Sequence, residues 1–547
     1  MPLADESSGS LVNDSIEQLD WIIIFVYLFG LIAFSAWLSR RQHTRSDYYV
    51  SGRDTGPVPI AVSIMATQCS SNSILGAPAF VAFAAGGGLV WLQYELAVPL
   101  AMIAIMVFML PVFYKLKLIS VYDYLERRFD LTTRLLLSGL FQFVRAFATA
   151  VTVYSIAIVV ELITGLAFFW SVLLLGAITV IYDVLGGIRA VIYSDVLQMV
   201  ILVGVLVMLL ALLVSESGGF AAMLDAFPTE RREPLDFASH GLGDGKDFAF
   251  WPMLFGGFFL YVSYYGCDQS QVQRELCARS QAEVQQALWL NGLMRFPLVL
   301  LYCFVGVGIG VYAAGNEAFV ASLAVAGDSP NYNLAVPVYI IEHMPVGIVG
   351  IALVALFAAA MSSLDSVINS LSATTMEDFV RRFHAEGNWS DARELLYSRG
   401  LTVAWGVITL WMAFHVGDIA STVLVAINKI GSLINGPVLG VFTMGLLTTR
   451  ATGPGACIGL LAGFLLNLGF WQFLPEISWL WWNVFGFVTT IVIGLLVSSL
   501  CRQARPGEDL VWSLPGLTSL GFDGAWRIRY LTLGIWFLFL TGTLLTI

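Results

Sequence analysis

A serine-rich stretch, FAAAMSSLDSVINSLSATTMEDF at residues 357–379, interrupts an otherwise apolar part of the chain. Residues three and four apart share a face of a helix, so Ser362 and Ser363 lie one turn from Ala359. A serine can also bend a helix and redirect the carbonyl four residues before it. One backbone oxygen and two hydroxyls form a good partial shell for a bare Na⁺, whereas Zn²⁺ prefers nitrogen and sulfur. The alternative is that these serines only hydrogen-bond neighbouring helices together.

The composition is that of a membrane protein. Of the 547 residues, 58% are hydrophobic and 12% are charged, about half of the roughly 25% charged residues of soluble domains. Apolar stretches of about twenty residues recur, which is the length that crosses a hydrocarbon core of about 30 Å. Because lipid offers no partners for backbone amides and carbonyls, each crossing must be a helix. The sequence therefore predicts an all-α polytopic membrane protein.

Hydropathy and turn residues predict about fourteen transmembrane helices. Their approximate limits are 19–39, 57–83, 87–113, 134–160, 162–185, 190–215, 249–272, 286–313, 346–371, 399–419, 423–447, 453–475, 478–500 and 527–547. Arginine and lysine are concentrated in alternate connections, including those that hold Arg45, Arg127, Arg274 and Arg382. The positive-inside rule assigns these connections to the cytoplasm and both termini to the opposite side.

Six charged side chains are expected at membrane depth. They are Arg145, Arg295, Lys429, Glu95, Asp195 and Asp365. A charge at mid-bilayer costs about 2.5–3.5 kcal/mol even on lenient insertion scales, so it faces the interior of a bundle or a wet cavity. For any one of them, an internal salt bridge is an equally good interpretation. For the set of six, we expect some to line a polar pathway.

Two predicted helices contain residues that interrupt a helix. The first, VPIAVSIMATQCSSNSILGAPAF, has a polar run at 67–73 followed by Gly76 and Pro78. The second, FGGFFLYVSYYGCDQSQVQR, has two early glycines and Gly266 after a tyrosine pair. Interrupted helices at matching positions of two halves indicate the binding site of an inverted-repeat transporter. Close packing of small residues is the alternative, but it explains seven consecutive polar residues poorly.

Several motifs resemble the sodium/solute symporter family. They are the opening stretch, GGIRAVIYSDVLQ at 186–198, YYGCDQSQVQRELCARS at 264–280, SVYDYLERRF at 120–129 and INKIGSLINGPVLG at 427–440. The branch with the iodide, monocarboxylate and multivitamin transporters and the bacterial sialic acid transporters is the most similar. The resemblance implies a LeuT-type core of two inverted five-helix repeats, with one helix before it and three after it.

That architecture divides the chain into six segments. They are an extracytoplasmic tail at 1–18, an extra helix and cytoplasmic loop at 19–56, a first repeat at 57–215, an extracytoplasmic loop at 216–248, a second repeat at 249–447 and three C-terminal helices at 448–547. The first helix of each repeat is the interrupted one.

The resemblance also implies ion ligands. Na⁺ would be bound by the carbonyls of Ala66, Cys69 and Ala359 and the hydroxyls of Ser362 and Ser363. The family's acidic residue on the fifth core helix maps to Asp195. Some members bind a second Na⁺ with two hydroxyls where this chain has Asp365 and Ser366. A carboxylate in that place would either strengthen a cation site or shift the coupling toward protons.

By the same resemblance, the substrate lies between the two interrupted helices. The expected lining residues are Gln68, Ser70, Ser73, Gln93, Tyr261 and Tyr264, together with Arg145 and Arg295. Arg145 falls where the sialic acid branch places a carboxylate-binding arginine. A guanidinium can hold a carboxylate with two parallel hydrogen bonds. The alternative for Arg145 is a structural ion pair with Glu95 or Asp195.

These expectations combine into one function: sodium-coupled import of a small organic anion, such as a monocarboxylate or an acidic sugar, across the plasma (inner) membrane. The expected partners are Na⁺, the small-molecule substrate and the lipid bilayer, with no nucleic acid. The same fold carrying a neutral sugar, an amino acid or an inorganic anion is one alternative, and a ligand sensor or channel is another. An enzyme is not expected, because no GxSxG, HExxH or P-loop motif appears in the sequence.

Overall fold

The computed structural model describes residues 16–69, 72–324, 330–384, 389–501, 507–513 and 524–546, and these residues form helices and no β-strand. The first half contains α1 (Gln18–Ser39), α2 (Arg45–Val50), α3 (Pro57–Gln68), α4 (Ala77–Phe83), α5 (Leu92–Glu95), α6 (Ala97–Ala104), α7 (Leu110–Lys115), α8 (Asp123–Arg128), α9 (Leu131–Thr164), α10 (Phe168–Glu216), α11 (Phe220–Ala226) and α12 (Thr229–Arg232). The second half contains α13 (Gly257–Cys267), α14 (Gln269–Glu275), α15 (Gln281–Ala314), α16 (Glu317–Ser322), α17 (Ala335–His343), α18 (Ile348–Thr374), α19 (Arg381–His384), α20 (Asp391–His415), α21 (Gly417–Leu447), α22 (Gly453–Phe473), α23 (Trp479–Leu500) and α24 (Gly524–Leu544).

Each of the fourteen predicted stretches overlaps one or more of these helices. Within the described residues, nine helical segments are individually long and apolar enough to cross a membrane. The longest helix, α10, packs against α1, α3, α15, α18 and α20. The helix that carries the serine pair, α18, is more deeply buried than α10. At the C-terminal end, α21, α22 and α23 pack against one another, while α24 packs on α6 and α15. The chain is a multi-pass membrane protein.

Both predicted interruptions are present. α3 ends at Cys69, whose φ of −76° and ψ of 65° leave the helical region, and the chain resumes in a widened π turn over Asn72–Gly76 before α4. α13 ends at Asp268, which has an extended backbone and caps α14 by accepting from the Ser270 amide. The second break therefore lies two residues beyond the expected Gly266.

The predicted spans 162–185 and 190–215 correspond to the two arms of α10, which are separated by one residue with non-helical backbone angles. α10 runs through both, and the bend lies at Gly187, which has a positive φ of 53°. A Cβ at this position would also lie 2.6 Å from the Tyr48 carbonyl oxygen. The bend therefore needs glycine twice over, for its backbone conformation and for its close approach to Tyr48. It redirects the half of α10 that carries Asp195.

The helix before the core is fastened to α18 by one carboxylate. Asp20 is fully buried, and its Oδ1 accepts hydrogen bonds from the amides of Gly347 and Gly350, both at 2.7 Å. These amides belong to the first turn of α18, where a helix has no internal acceptors for its N–H groups. A side chain of α1 thus caps the helix that carries the serine pair.

Candidate functional site

The serine pair of α18 faces the end of α3. Ser362 Oγ lies 3.4 Å from the Ala66 carbonyl oxygen and 3.3 Å from that of Ala359. Ser363 Oγ lies 3.5 Å from the Thr67 carbonyl oxygen and 3.4 Å from that of Ala359. Oxygens that bind a hard cation at about 2.4 Å and at right angles to each other are roughly 3.4 Å apart. These four oxygen–oxygen distances match the spacing of neighbouring ligands around a cation of the size of Na⁺.

The break in α3 makes these carbonyls available. The last four carbonyls of a helix have no internal N–H donor, and Ala66 and Thr67 belong to the last turn of α3. Cys69, the third expected carbonyl ligand, is at the break itself, and its thiol accepts a hydrogen bond from Arg295 Nη1 at 3.3 Å. Thr67 is a candidate ligand that the family pattern did not supply. The polar run at the break was its signal in the sequence.

Asp365 and Ser366 lie one turn along α18 from the serine pair. Ser366 Oγ lies 2.5 Å from the Ser362 carbonyl oxygen, 3.1 Å from Asp365 Oδ1 and 3.1 Å from Thr67 Oγ1. The other carboxylate oxygen of Asp365 accepts from the Tyr182 hydroxyl at 2.5 Å. Asp365 and Ser366 are both buried. The expected second group of oxygens is thus contiguous with the first.

Asp195 joins this group through Ser63 and Arg274. Ser63 Oγ donates to Asp195 Oδ2 at 2.5 Å, and Arg274 Nη2 lies 3.3 Å from the same oxygen. Arg274 also donates to Ser366 Oγ. The expectation that Arg274 lies in a connection between helices is wrong, because it is on α14 and its side chain is entirely buried. Its position among polar residues, QSQVQRE, resembles that of a loop arginine and gave no signal of burial.

A second buried ion pair lies between the two breaks. Arg295 Nε is 3.1 Å from Glu95 Oε2, and the Tyr261 hydroxyl donates to Glu95 Oε1 at 3.0 Å. The side chains of Arg295 and Glu95 are only 5% and 1% exposed. Two of the six predicted depth charges therefore neutralise each other. This arrangement orders the wall of the site and leaves Arg295 little capacity for a substrate.

Arg145 pairs with Asp268, the residue at the second break. Its guanidinium also lies over the ring of Tyr264, 4.9 Å from the centroid, at cation–π distance. Neither Glu95 nor Asp195, the two partners considered from the sequence, forms this pair, since they bind Arg295 and Arg274. The Arg145 side chain is 24% exposed, so a ligand can approach it.

The remaining expected substrate residues divide between the two breaks. Gln68 accepts a hydrogen bond from Tyr265, a contact that the sequence did not suggest, and Tyr265 packs on both Tyr264 and Tyr261. Ser73 Oγ lies 3.5 Å from the Gln68 carbonyl oxygen. Ser70 lies outside the described residues.

Gln93 hydrogen-bonds a connection between helices rather than residues at either break. Its Nε2 donates to the Phe248 carbonyl at 2.9 Å, and its Oε1 accepts from the Asp236 amide at 3.2 Å. Both partners belong to the connection between α12 and α13, so Gln93 fastens that connection to the wall of the site.

Comparisons with known proteins agree with this geometry. The sequence model described as Sodium:solute symporter family matches residues 48–463. The sodium-coupled monocarboxylate transporter 1 of Homo sapiens is 31% identical over 78% of this chain and 68% of its own length. The sodium-dependent multivitamin transporter of Oryctolagus cuniculus is 28% identical over 92% and 86%, respectively. The sodium/sialic acid symporter NanT of Aliivibrio fischeri is 28% identical over 91% and 96%.

The fold also matches a solved structure, the substrate-bound outward-open state of a Na⁺-coupled sialic acid symporter. The TM-score is 0.80 at 24% identity, and the match covers 90% of this chain and all of the other. This likeness confirms the predicted LeuT-type fold. The relatives are sodium-coupled transporters rather than enzymes, as the sequence predicted. The chain belongs to the sodium:solute symporter family, and Na⁺ is its coupling ion.

Proposed function

We propose that this protein imports a small organic anion together with Na⁺ by alternating access. The observation that carries the proposal is the pair of α18 hydroxyls facing the free carbonyls at the break of α3. It provides an oxygen-only shell for Na⁺ between two helices that belong to different halves of the chain. Relatives named for sodium-coupled transport of monocarboxylates and sialic acid support the choice of an organic anion.

Sodium at this site connects α3 to α18. Such an ion drives a conformational change only to the extent that it binds one state better than another. A closed contact between Ala66, Ser362 and Ser363 is the state that provides the full shell. Sodium should therefore raise the affinity for substrate, and substrate should raise the affinity for sodium by the same factor.

Arg145 is the proposed anion-binding residue. It is more exposed than Arg295, and Tyr264 orients its guanidinium beside the second break. A substrate carboxylate would accept two parallel hydrogen bonds from the guanidinium, which lysine cannot provide in that geometry. Gln68, Ser70, Ser73 and Tyr261 complete the proposed lining. Glu95 and Arg295 hold Tyr261 in place beside it.

Asp195, Asp365 and Ser366 are proposed to tune the ion site. Their oxygens are connected to Ser362 through Ser366, so charge placed here acts on the sodium ion over a short distance in a medium of low dielectric. The oxygens of this group also suit a second hard cation.

The arrangement in the membrane is proposed as follows. Residues 57–215 and 249–447 form two inverted repeats, each beginning with an interrupted helix. The arginine-bearing connections face the cytoplasm, both termini lie on the other side, and the membrane is the plasma (inner) membrane.

Uptake into proteoliposomes tests the function. Purified protein is reconstituted, and accumulation of radiolabelled pyruvate, sialic acid, glucose and proline is compared with an inward gradient of Na⁺ or of choline. We expect accumulation of an organic acid with Na⁺ only, and trans-stimulation by unlabelled substrate, which a channel does not show. Sodium-driven uptake of only a neutral solute would overturn the anion assignment, and equal uptake in choline without a proton gradient would overturn sodium coupling.

A further inference from the structure

Arg274 connects both interrupted helices to the helices around them. From α14, it donates to Ser63 Oγ on α3 at 2.7 Å, pairs with Asp195 on α10 at 3.3 Å and donates to Ser366 Oγ on α18. Its side chain is completely buried, as is that of Asp195. α3 and α14 also pack against each other. One guanidinium on α14 thus makes polar contacts with α3, α10 and α18.

The partners of Arg274 lie to one side of the sodium site. Along α18, Ser366 is one turn beyond Ser362, in the direction of Arg381 and Arg382. Along α3, Ser63 is one turn from Thr67, in the direction of the arginine-bearing segment that contains Arg53. An ion that leaves the site toward this arginine-rich end meets Arg274 first.

The oxygens that hold Arg274 are those an outgoing ion would use. Ser366 Oγ is hydrogen-bonded to the Ser362 carbonyl oxygen and to Thr67 Oγ1, and both of these residues belong to the proposed sodium site. Within the described part of the chain, Asp195 Oδ1 has no hydrogen-bond partner, although it is buried. A cation that reaches Asp195 can therefore bind the free Oδ1, but the Arg274 guanidinium already contacts the neighbouring Oδ2. Two cations that share these oxygens repel each other, so the guanidinium must move before an ion can pass.

We propose that Arg274 closes the route by which Na⁺ leaves its site toward the cytoplasm, and that release of Arg274 from Ser63, Asp195 and Ser366 opens it. Release also separates α3 and α14 from α10 and α18, so the ion path and the helix movement open in one step. Arg274 is thus a positioning residue of the transport cycle. The proposal rests on the proposed sodium site and orientation, but it does not depend on the class of substrate.

The accessibility of the Cys277 thiol can be used to measure this opening. It is fully buried three residues after Arg274, and its amide donates to the Arg274 carbonyl at 3.0 Å. Its own carbonyl accepts from the Thr55 amide at 3.1 Å, immediately before α3. Movement of α14 away from α3 therefore exposes the thiol.

The experiment uses the unmodified full-length protein in lipid nanodiscs as the parent, and labelling of Cys277 is quantified on its own peptide by mass spectrometry. The rate of labelling by a fluorescent maleimide is measured in Na⁺ and in choline for the parent and for Arg274→Gln, Ser63→Ala and Arg279→Gln. Arg279 is the matched control, because it forms an exposed ion pair with Asp54 just after α14. Ser63→Ala removes one partner of Arg274 and leaves no charge unpaired.

We expect Na⁺ to slow labelling of the parent, Arg274→Gln to raise the rate in Na⁺ by at least about fivefold, and Ser63→Ala to raise it less. Arg279→Gln should match the parent. A purely structural Arg274 would lower the unfolding temperature in both salts and leave the ratio of the two labelling rates unchanged. An unchanged ratio in folded Ser63→Ala overturns the proposal, whether or not Arg274→Gln folds.

Uptake by the parent separates this proposal from the proposed function. A parent without sodium-dependent uptake of any of the solutes refutes the proposed function. If uptake depends on sodium but Ser63→Ala leaves the ratio of the two labelling rates unchanged, only the role of Arg274 is refuted.

Discussion

Asp20 Oδ1 accepts a hydrogen bond from the amide of Gly350 at 2.7 Å, across 330 residues of sequence. The same oxygen accepts from the Gly347 amide, so a carboxylate of the first helix caps the helix that carries the serine pair. The helix outside the predicted core is therefore part of the support of the sodium site. Its position fixes where α18 begins.

Asp20→Ala should destabilise the protein by about 1–3 kcal/mol, because it leaves the buried amide of Gly350 and the partly buried amide of Gly347 without an acceptor. Asp20→Asn is the matched control, since its amide oxygen still accepts at the same place. Thermal unfolding of both purified variants measures the difference. Equal unfolding temperatures for the two variants would show that the cap contributes little.

Gly187→Ala should destabilise the bend of α10. The residue has a φ of 53°, and an added Cβ would lie 2.6 Å from the Tyr48 carbonyl oxygen. Strain of this kind costs on the order of 1–3 kcal/mol. Gly204, on the same helix, has nothing within 4 Å of an added Cβ, so Gly204→Ala should be neutral or slightly stabilising. Thermal unfolding that ranks the two variants equally would contradict the requirement for glycine.

The sequence predicted the features that depend on local spacing. Ser362, Ser363 and Ala359 converge because helical periodicity brings them together, and the polar run at 67–73 predicted the end of α3. The glycine pair before Arg189 predicted a division between two spans, and the structure interrupts α10 there at Gly187, whose φ of 53° and ψ of −160° are not helical.

The ion pairs were beyond sequence reasoning. Arg145 and Asp268 are 123 residues apart, and Arg295 and Glu95 are 200 apart. The sequence located these charges at membrane depth but did not determine their partners, since partner choice depends on how the helices pack. The polar residues around Arg274 predict a connection there, whereas its burial results only from the helices packed around it.

Arg295→Gln should be strongly destabilising, because it leaves Glu95 buried without a cation. Removing one member of a buried pair costs about 3–5 kcal/mol, whereas replacing both is much less costly. The double variant Glu95→Gln with Arg295→Gln should therefore be more stable than Arg295→Gln alone. Thermal unfolding of the two single variants and the double variant completes the cycle. Strictly additive effects would show that the pair does not interact.

Ser363→Ala should weaken sodium activation far more than it weakens stability. It removes one proposed oxygen ligand, 3.5 Å from the Thr67 carbonyl oxygen, and no partner is left with an unpaired charge. The sodium concentration for half-maximal uptake should rise about tenfold, equivalent to ~1.4 kcal/mol. Ser370→Ala is the control on the same helix, because Ser370 donates to Val367 of its own helix. Unchanged sodium activation in Ser363→Ala would exclude this hydroxyl from the site.

Arg145→Ala and Arg145→Lys should both lower uptake of the organic acid by at least about 100-fold, since each removes charge-assisted hydrogen bonds of about 1.5–3 kcal/mol. Lysine keeps the charge but not the planar donor pair, so its failure would identify bidentate recognition.

Asp268→Asn is a further probe: it frees the guanidinium of Arg145, while the side-chain oxygen of Asn can still accept from the Ser270 amide and cap α14. That variant should bind the acid at least as tightly as the unmodified protein. Arg127→Ala, which removes an exposed pair with Asp123, controls for loss of surface charge. Normal uptake kinetics in Arg145→Ala, with folded protein in the membrane, would show that the anion is held elsewhere.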